Sequence, residues 1–233
     1  MRSALFELIS EKSATIIPKL MVFGVGGCGC NTIHQLSQVN LPASVQLVSV
    51  NTDAQSMADS YFSIQIGPQT TKRLGAGAKP DVGCAAALES DESLTTQMQD
   101  ADIIFLTAGL GGETDALPQV AKFAREQAKP VIAIVTMPFG FEGHHRAVNT
   151  EAGLNELLHC ANAVIVRPND KLAEVLGAKV TLLNTFDESN KILQDVLLGL
   201  ANTISQAGLI NFDLNDFISV MSRQGHTAME SVN

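Results

Sequence analysis

Lys19-Leu-Met-Val-Phe-Gly-Val-Gly-Gly-Cys-Gly-Cys-Asn31 is the stretch that decides the fold. An apolar run, Lys19–Val25, passes straight into glycines and then into a helix-like segment, Asn31–Val39. An apolar run without polar alternation marks a parallel strand covered on both faces. Glycines at its end permit a tight turn and let backbone amides face an anion at a helix N-terminus.

The same grammar repeats outward. Strands are predicted at Val45–Val50, Ile103–Thr107, Val131–Thr136 and Ala163–Val166, with a weaker one at Tyr61–Ile66. Helices are predicted between them at Val82–Gln99, Leu117–Gln127 and Arg146–Leu158. This alternation predicts an α/β fold, a Rossmann-like, doubly wound, mostly parallel sheet. After the last strand, Ile192, Leu193, Val196, Leu197, Leu200 and Ile204 recur at helical spacing and predict one long helix, Phe186–Gln206, with Gly208 as its stop.

At 233 residues the chain allows one large domain or two small ones. Its 24 acids against 15 bases give a net charge of −9, which argues against a basic nucleic-acid module or an anionic-membrane binder. Any phosphate must then be held mainly by backbone amides. Met1–Ser13 carries Glu7 and Glu11, unlike a secretory signal. Val196–Phe212 is uncharged but contains Asn202, Thr203, Ser205 and Gln206, which suits a buried helix better than a membrane span. Cys28 and Cys30 sit in a glycine-rich turn and Cys84 and Cys160 are isolated, so reduced cytoplasmic thiols are expected, with no metal site. His144 and His145 are sequence neighbours that point apart on a helix, as solvated surface residues do.

Three glycine-bearing loops stand out: Gly24–Asn31, Leu74–Gly83 and Ala108–Asp115. The first and third follow strands directly, where open α/β sheets bind ligands. The first matches G-x-G-x-x-G through Gly24, Gly26 and Gly29, and Asp53 lies beyond the next strand, so a dinucleotide enzyme is a competing reading. It leaves the other two loops unexplained. The pattern of a P-loop NTPase is absent.

Five further motifs occur in one order: Asn51-Thr-Asp-Ala-Gln55, Leu74-Gly-Ala-Gly-Ala with Pro80 and Val82-Gly83, Phe139-Gly-Phe-Glu-Gly143 with Arg146, Pro168-Asn-Asp-Lys-Leu172, and Gly208-Leu-Ile-Asn-Phe-Asp-Leu-Asn-Asp216. Together they closely resemble FtsZ, the bacterial tubulin-like cell-division GTPase, from about Pro18 to about Met221. The resemblance implies an N-terminal extension (1–18), a GTPase domain with its central helix (19–206), and a catalytic-loop segment with the truncated start of a second domain (207–233). The rest of the family's second domain and its tail peptide are not expected in this chain.

The ligand so implied is GTP or GDP with Mg²⁺. The first loop would hold phosphates through Gly24, Gly26, Gly27, Cys28 and Asn31, although two positions usually glycine are Cys28 and Cys30. Asn51 and Asp53 belong to the Asn51–Gln55 motif, and Gly75, Ala76 and Gly77 would lie near the γ-phosphate. Glu142, Arg146 and Asn169 match contacts on the sugar and base side. Phe186 matches an aromatic that stacks on guanine, and Asn190 an amide that reads its edge; a core position at a helix start is the alternative for Phe186.

The third loop, with Gly109, Gly111, Gly112 and Thr114, departs from the family. Its signature is G-G-G-T-G-T-G, and here Glu113 and Asp115 stand where glycines receive phosphate. A carboxylate ~4 Å from a phosphate charge costs about 1 kcal/mol in water and about 4 at intermediate dielectric. The loop has either drifted from its role or turns those acids away or toward Mg²⁺. Thr114 keeps a place suited to capping the next helix.

Hydrolysis in the family is completed between subunits. Asn211, Asp213 and Asp216 match the loop that one subunit inserts against its neighbour's nucleotide, where the acids position water; Asp213 as a plain helix cap is the alternative. The expectation is weak, assembly-dependent GTP hydrolysis and head-to-tail association with itself or FtsZ-type filaments, with no nucleic-acid partner or direct membrane insertion. The competing expectation is a non-catalytic interaction protein that modulates filaments or self-assembles.

Overall fold

The structure, a computed structural model, describes residues 17–57, 62–77, 79–112, 116–176, 182–205 and 219. Six parallel strands form one sheet: β1 (Leu20–Val25), β2 (Val45–Asn51), β3 (Ser63–Gln65), β4 (Ile103–Gly109), β5 (Val131–Met137) and β6 (Ala163–Pro168). Their spatial order is β3-β2-β1-β4-β5-β6. Every strand pair is parallel, so the predicted doubly wound sheet is the one found. The order reverses between β1 and β4, and ligands in such sheets settle at that switch point, beyond the strands' carboxyl ends.

Both faces are covered because strand residues alternate between two cores. Met21, Phe23 and Val25 face the layer of α2 (Pro80–Glu89), α3 (Asp91–Met98), α4 (Ala116–Glu126) and α5 (His144–Cys160). Leu20 and Val22 face α1 (Gly26–Ser37) and α7 (Leu182–Ser205), against Ile33, Leu36, Leu193 and Leu197. Leu193, Leu197, Leu200 and Ile204 form the buried stripe that the helical spacing anticipated. Each such side chain, fully buried, stabilises the fold by roughly 1.5–3 kcal/mol.

The helix boundaries differ from expectation in several places. Helix α7 begins at Leu182, not at the predicted Phe186, so Phe186 lies inside the helix and not at its start. Helix α1 begins at Gly26 rather than Asn31, so Cys28 and Cys30 lie inside a helix and not in a turn. The stretch predicted as one helix over Val82–Gln99 is two, α2 and α3, parted at Ser90, whose Oγ accepts the Gly67 N–H at 2.9 Å. A helix not predicted, α6 (Asn169–Leu176), follows β6 immediately.

Close backbone approach explains why α1 starts so early. A Cβ on Gly29 would stand 2.5 Å from the Thr107 carbonyl oxygen, and one on Gly24 would stand 2.2 Å from the Gly29 oxygen. Only glycine at both positions lets α1 lie directly on β1 and β4. Gly26 makes the turn itself, at φ +72°.

Candidate functional site

At the carboxyl ends of β1, β4 and β5 lies a cavity of about 460 Å³, within the size range of small-ligand sites. Its floor on one side is the start of α1: Val25, Gly26, Gly27, Cys28 and Asn31. That helix opens without a side-chain cap and has no acid in its first turn. Its first amides therefore have no intrahelical partner, and the helix dipole adds partial positive charge. No Cβ contact would crowd Gly27, so this face is open to the cavity.

The Asn51–Gln55 motif builds the second wall. Asn51 is buried and its Oδ1 accepts the Asp53 N–H at 3.1 Å. The Asp53 carboxylate in turn accepts from the Gln55 N–H and the Ser56 hydroxyl, both at 2.9 Å. Asn51, Asp53 and Ser56 all line the cavity. A backbone bridge between Asp53 and Leu74 carries the chain toward Gly75 (φ +85°) and Gly77 (φ +63°).

The third wall comes from β4, β5 and α5. Gly109, Leu110 and Gly112 follow β4, while Thr136 and Pro138 come from the end of β5. Glu142 Oε1 accepts the Phe139 N–H at 2.8 Å, and its other oxygen pairs with Arg146 one helical turn on. Arg146 is the sole cation among the described lining residues, against the two acids Asp53 and Glu142. An anionic ligand here must rest on backbone amides.

The back of the cavity is polar and aromatic. Phe186, Ser189 and Asn190 project from α7, and Asn169 from the start of α6. Ser189 Oγ donates to Asn169 Oδ1 at 2.8 Å, joining the two helices. Phe186 is 40% exposed, too open for a core position, and the Phe139 ring supports it edge-on. Cys28 Sγ donates to Asn190 Oδ1 at 3.5 Å and lies 3.9 Å from Thr136 Oγ1. The residue as a whole is half-buried, but its thiol is shielded: burial, opposed by the Thr136 hydrogen bond and assisted by the nearby Glu142 charge, pushes its pKa up to about 11.

Of the residues singled out from sequence, the cavity thus brings together Gly26, Gly27, Cys28, Asn31, Asn51, Asp53, Gly109, Gly112, Glu142, Arg146, Asn169, Phe186 and Asn190. Gly24 instead packs beneath α1, and Gly111 packs on α5, where a Cβ would meet the Arg146 oxygen and Thr150 Oγ1 at 2.6 Å. Gly75, Ala76 and Gly77 are not among the lining residues, and Ala76 is buried. Glu113, Thr114, Asp115, Asn211, Asp213 and Asp216 lie outside the described residues. Val25, Ser56, Leu110, Thr136, Pro138 and Ser189 were not anticipated; each sits at a strand end or beside a motif residue, the only signal available for them. His144 and His145 are exposed at the start of α5.

An uncapped helix start at the switch point, a carboxylate–guanidinium pair and an aromatic beside two asparagine amides thus line one cavity of a doubly wound domain. The family model for the tubulin/FtsZ family GTPase domain matches residues 19–177, and the chain belongs to that family. It is 37% identical over 229 residues to the cell division protein FtsZ of Buchnera aphidicola, covering 97% of this chain and 58% of that one. To FtsZ 1 of Pyrococcus furiosus it is 38% identical, covering 98% and 62%. The solved FtsZ dimer of M. jannaschii superposes with a TM-score of 0.84 at 36% identity, over 90% of this chain and 62% of that one. The chain therefore spans about three fifths of the length of these relatives. Among the described residues no helix is long and apolar enough to cross a membrane.

Proposed function

We propose that this chain binds GTP and GDP in the cavity and hydrolyses GTP weakly, with hydrolysis completed only when copies associate head to tail as in a cell-division filament. The observation that carries this reading is the conjunction of the uncapped α1 amides at one end of the cavity with Phe186, Asn169 and Asn190 at the other. Amides suit phosphate oxygens, an exposed ring suits a base, and carboxamides suit its polar edge. Family membership supports the choice of guanine over a dinucleotide. Similarity to FtsZ proteins, including a dimer, supports self-association.

The residues around the cavity fit a magnesium nucleotide electrostatically: Asp53 and Glu142 outnumber Arg146, so a cation would offset phosphate charge that the protein does not. Mg²⁺ bound to the phosphates would supply that neutralisation. Titration of a fluorescent guanine nucleotide with Mg²⁺ tests the reading; no binding up to millimolar concentration would sink it. If binding holds, Asp213→Ala should abolish turnover and leave affinity intact. Equal loss of both would remove Asp213 from the catalytic role.

Glu113 and Asp115 favour a second reading, a non-catalytic relative that contacts FtsZ filaments or itself through its assembly face. Co-sedimentation with FtsZ filaments alongside a turnover assay separates the two. Filament binding without turnover in any assembled state supports the second.

A further inference from the structure

Lys72 and Arg73 both hold left-handed backbones, at φ +52° and +67°, although neither is glycine. That conformation is unfavourable for any residue with a Cβ, and strain of this kind gathers at sites that bind or switch. Both side chains are exposed, and neither forms an ion pair among the described residues. Packing and charge pairing therefore give nothing back for the strain. The Arg73 N–H donates to Thr71 Oγ1 at 3.3 Å, and the next residue, Leu74, forms the backbone bridge with Asp53.

The sheet order says which end of the cavity this loop faces. Strand β2 lies on one side of β1, and β4, β5 and β6 lie on the other. The turn at Asp53 follows β2, whereas Asn169 follows β6 and Phe186 projects from α7, so they stand at opposite ends. A nucleotide with its base at Phe186 and its phosphates on the α1 amides points its terminal phosphate toward the Asp53 turn. Charge is lacking there. Arg146, the cation in the described walls, is paired with Glu142, and the Asp53 carboxylate accepts only from Gln55 and Ser56 of its own turn. One more phosphate beside Asp53 is a repulsive arrangement unless a cation joins it.

We propose that Arg73 binds the terminal phosphate of a nucleoside triphosphate and so distinguishes GTP from GDP. This deepens the nucleotide reading given above and rests on it. Arg73 is one Cα step, about 3.8 Å, from the residue bridged to Asp53, a step that an arginine side chain spans. Its planar fork meets two phosphate oxygens at once, which the Lys72 ammonium, a residue farther away, does not. A diphosphate ends short of the loop and leaves Arg73 in solvent. The left-handed backbone at Arg73 then has a use in presenting the guanidinium at the open end of the cavity.

The test measures the affinities of a non-hydrolysable GTP analogue, GDP and inorganic tripolyphosphate for the full chain at fixed Mg²⁺, below the concentration at which light scattering shows self-association. Arg73→Ala should lower the preference for the analogue over GDP by about tenfold or more and leave GDP affinity within about threefold. Lys72→Ala should leave the preference within about threefold. Added salt should shrink the preference in the wild type and hardly change it in Arg73→Ala. Arg73→Gly should lose the preference equally yet melt at or above the wild type, because glycine is at ease at this φ. Wild-type preference in Arg73→Ala overturns the proposal. So does an Arg73→Gly protein that melts lower and loses both ligands alike, since the residue is then structural. Weakened self-association with unchanged analogue affinity assigns Arg73 to a contact with a second copy and also overturns it. A wild type that binds neither guanine nucleotide refutes the guanine reading instead, and tripolyphosphate then decides Arg73 by itself. A tenfold loss in Arg73→Ala upholds the contact; equal binding, or none by either protein, overturns it.

Discussion

Phe139 stands edge-on to Phe186, with ring centroids 5.2 Å apart and planes at 87°. Phe139 is itself buried and stacks on Phe141 at 5.0 Å. Phe139 is the buried middle ring of the three, with the exposed Phe141 on one side and the half-open face of Phe186 on the other. The contact fixes that face before any ligand arrives, which lowers the ordering cost of binding.

Phe186→Ala should weaken guanine-nucleotide binding while leaving the fold intact, because the ring is 40% exposed and contributes little to the core. Base–aromatic stacking is worth about 1–3 kcal/mol, so affinity should fall about 5- to 150-fold. Phe186→Trp should retain most of it. Equilibrium titration of both variants, with melting curves as control, reads the result; unchanged affinity in Phe186→Ala would remove the ring from base contact.

Glu89 ties down the turn at Gln69 and Thr70. Its carboxylate accepts from the Gln69 and Thr70 N–H groups, each at 2.9 Å, and from the Thr70 hydroxyl at 2.7 Å. The Gln69 amide, then the Thr70 hydroxyl, hold its pKa below the ordinary 4.5. A depressed folded pKa means that the contribution to stability is present above 4.5 and is lost as pH falls through the folded value. Protection of the Gln69 and Thr70 amides from hydrogen exchange should therefore drop in Glu89→Ala at neutral pH. An unchanged exchange rate in that variant would show that the carboxylate is not what holds the turn.

Cys28 gives the opposite pH signature. Its folded pKa of about 11 exceeds the ordinary 9.0, so the native state holds this proton more tightly than the unfolded chain. The contribution is complete below 9.0 and is lost as pH rises toward about 11. Cys28→Ser should flatten the fall in melting temperature across that window. Alkylation of Cys28 in the native protein should also be slower than that of a free thiol at pH 8, since the thiolate is the nucleophile. A rate equal to that of a free thiol would contradict the shielding.

What the sequence disclosed follows from how local each signal is. The interior strands were legible because apolar runs such as Ile103–Thr107 and Val131–Thr136 have no other stable home than a sheet covered on both faces. The start of α1 was not, because glycine is a poor helix former and Gly26–Gly29 resembles a loop until the sheet beneath it is known. The break at Ser90 depends on a hydrogen bond from Gly67, twenty-three residues away, which no window of local propensity registers. Within the site, motif residues were legible individually. The engagement of Asn190 by Cys28 was not, since it joins helices 162 positions apart.

Glycines divide by a criterion that sequence lacks, namely what a Cβ would meet. On Gly29 it would meet the Thr107 oxygen at 2.5 Å and the Gly24 backbone at 2.6 Å, so α1 would have to lift from the sheet. Gly29→Ala should therefore destabilise the fold by about 1–3 kcal/mol, as overpacking does. On Gly27 it would meet nothing within 4 Å, and that backbone is not left-handed. Gly27→Ala should leave the nucleotide-free protein as stable or raise its stability by about 0.5–1 kcal/mol, since alanine favours the helix. Yet Gly27 lines the cavity, so a methyl there intrudes where phosphate would approach the α1 amides. Denaturant melts and nucleotide titrations of the two variants should give opposite results: Gly29→Ala loses stability first, and Gly27→Ala loses affinity alone. A Gly27→Ala protein that binds guanine nucleotide as tightly as the wild type would move the phosphates away from the start of α1.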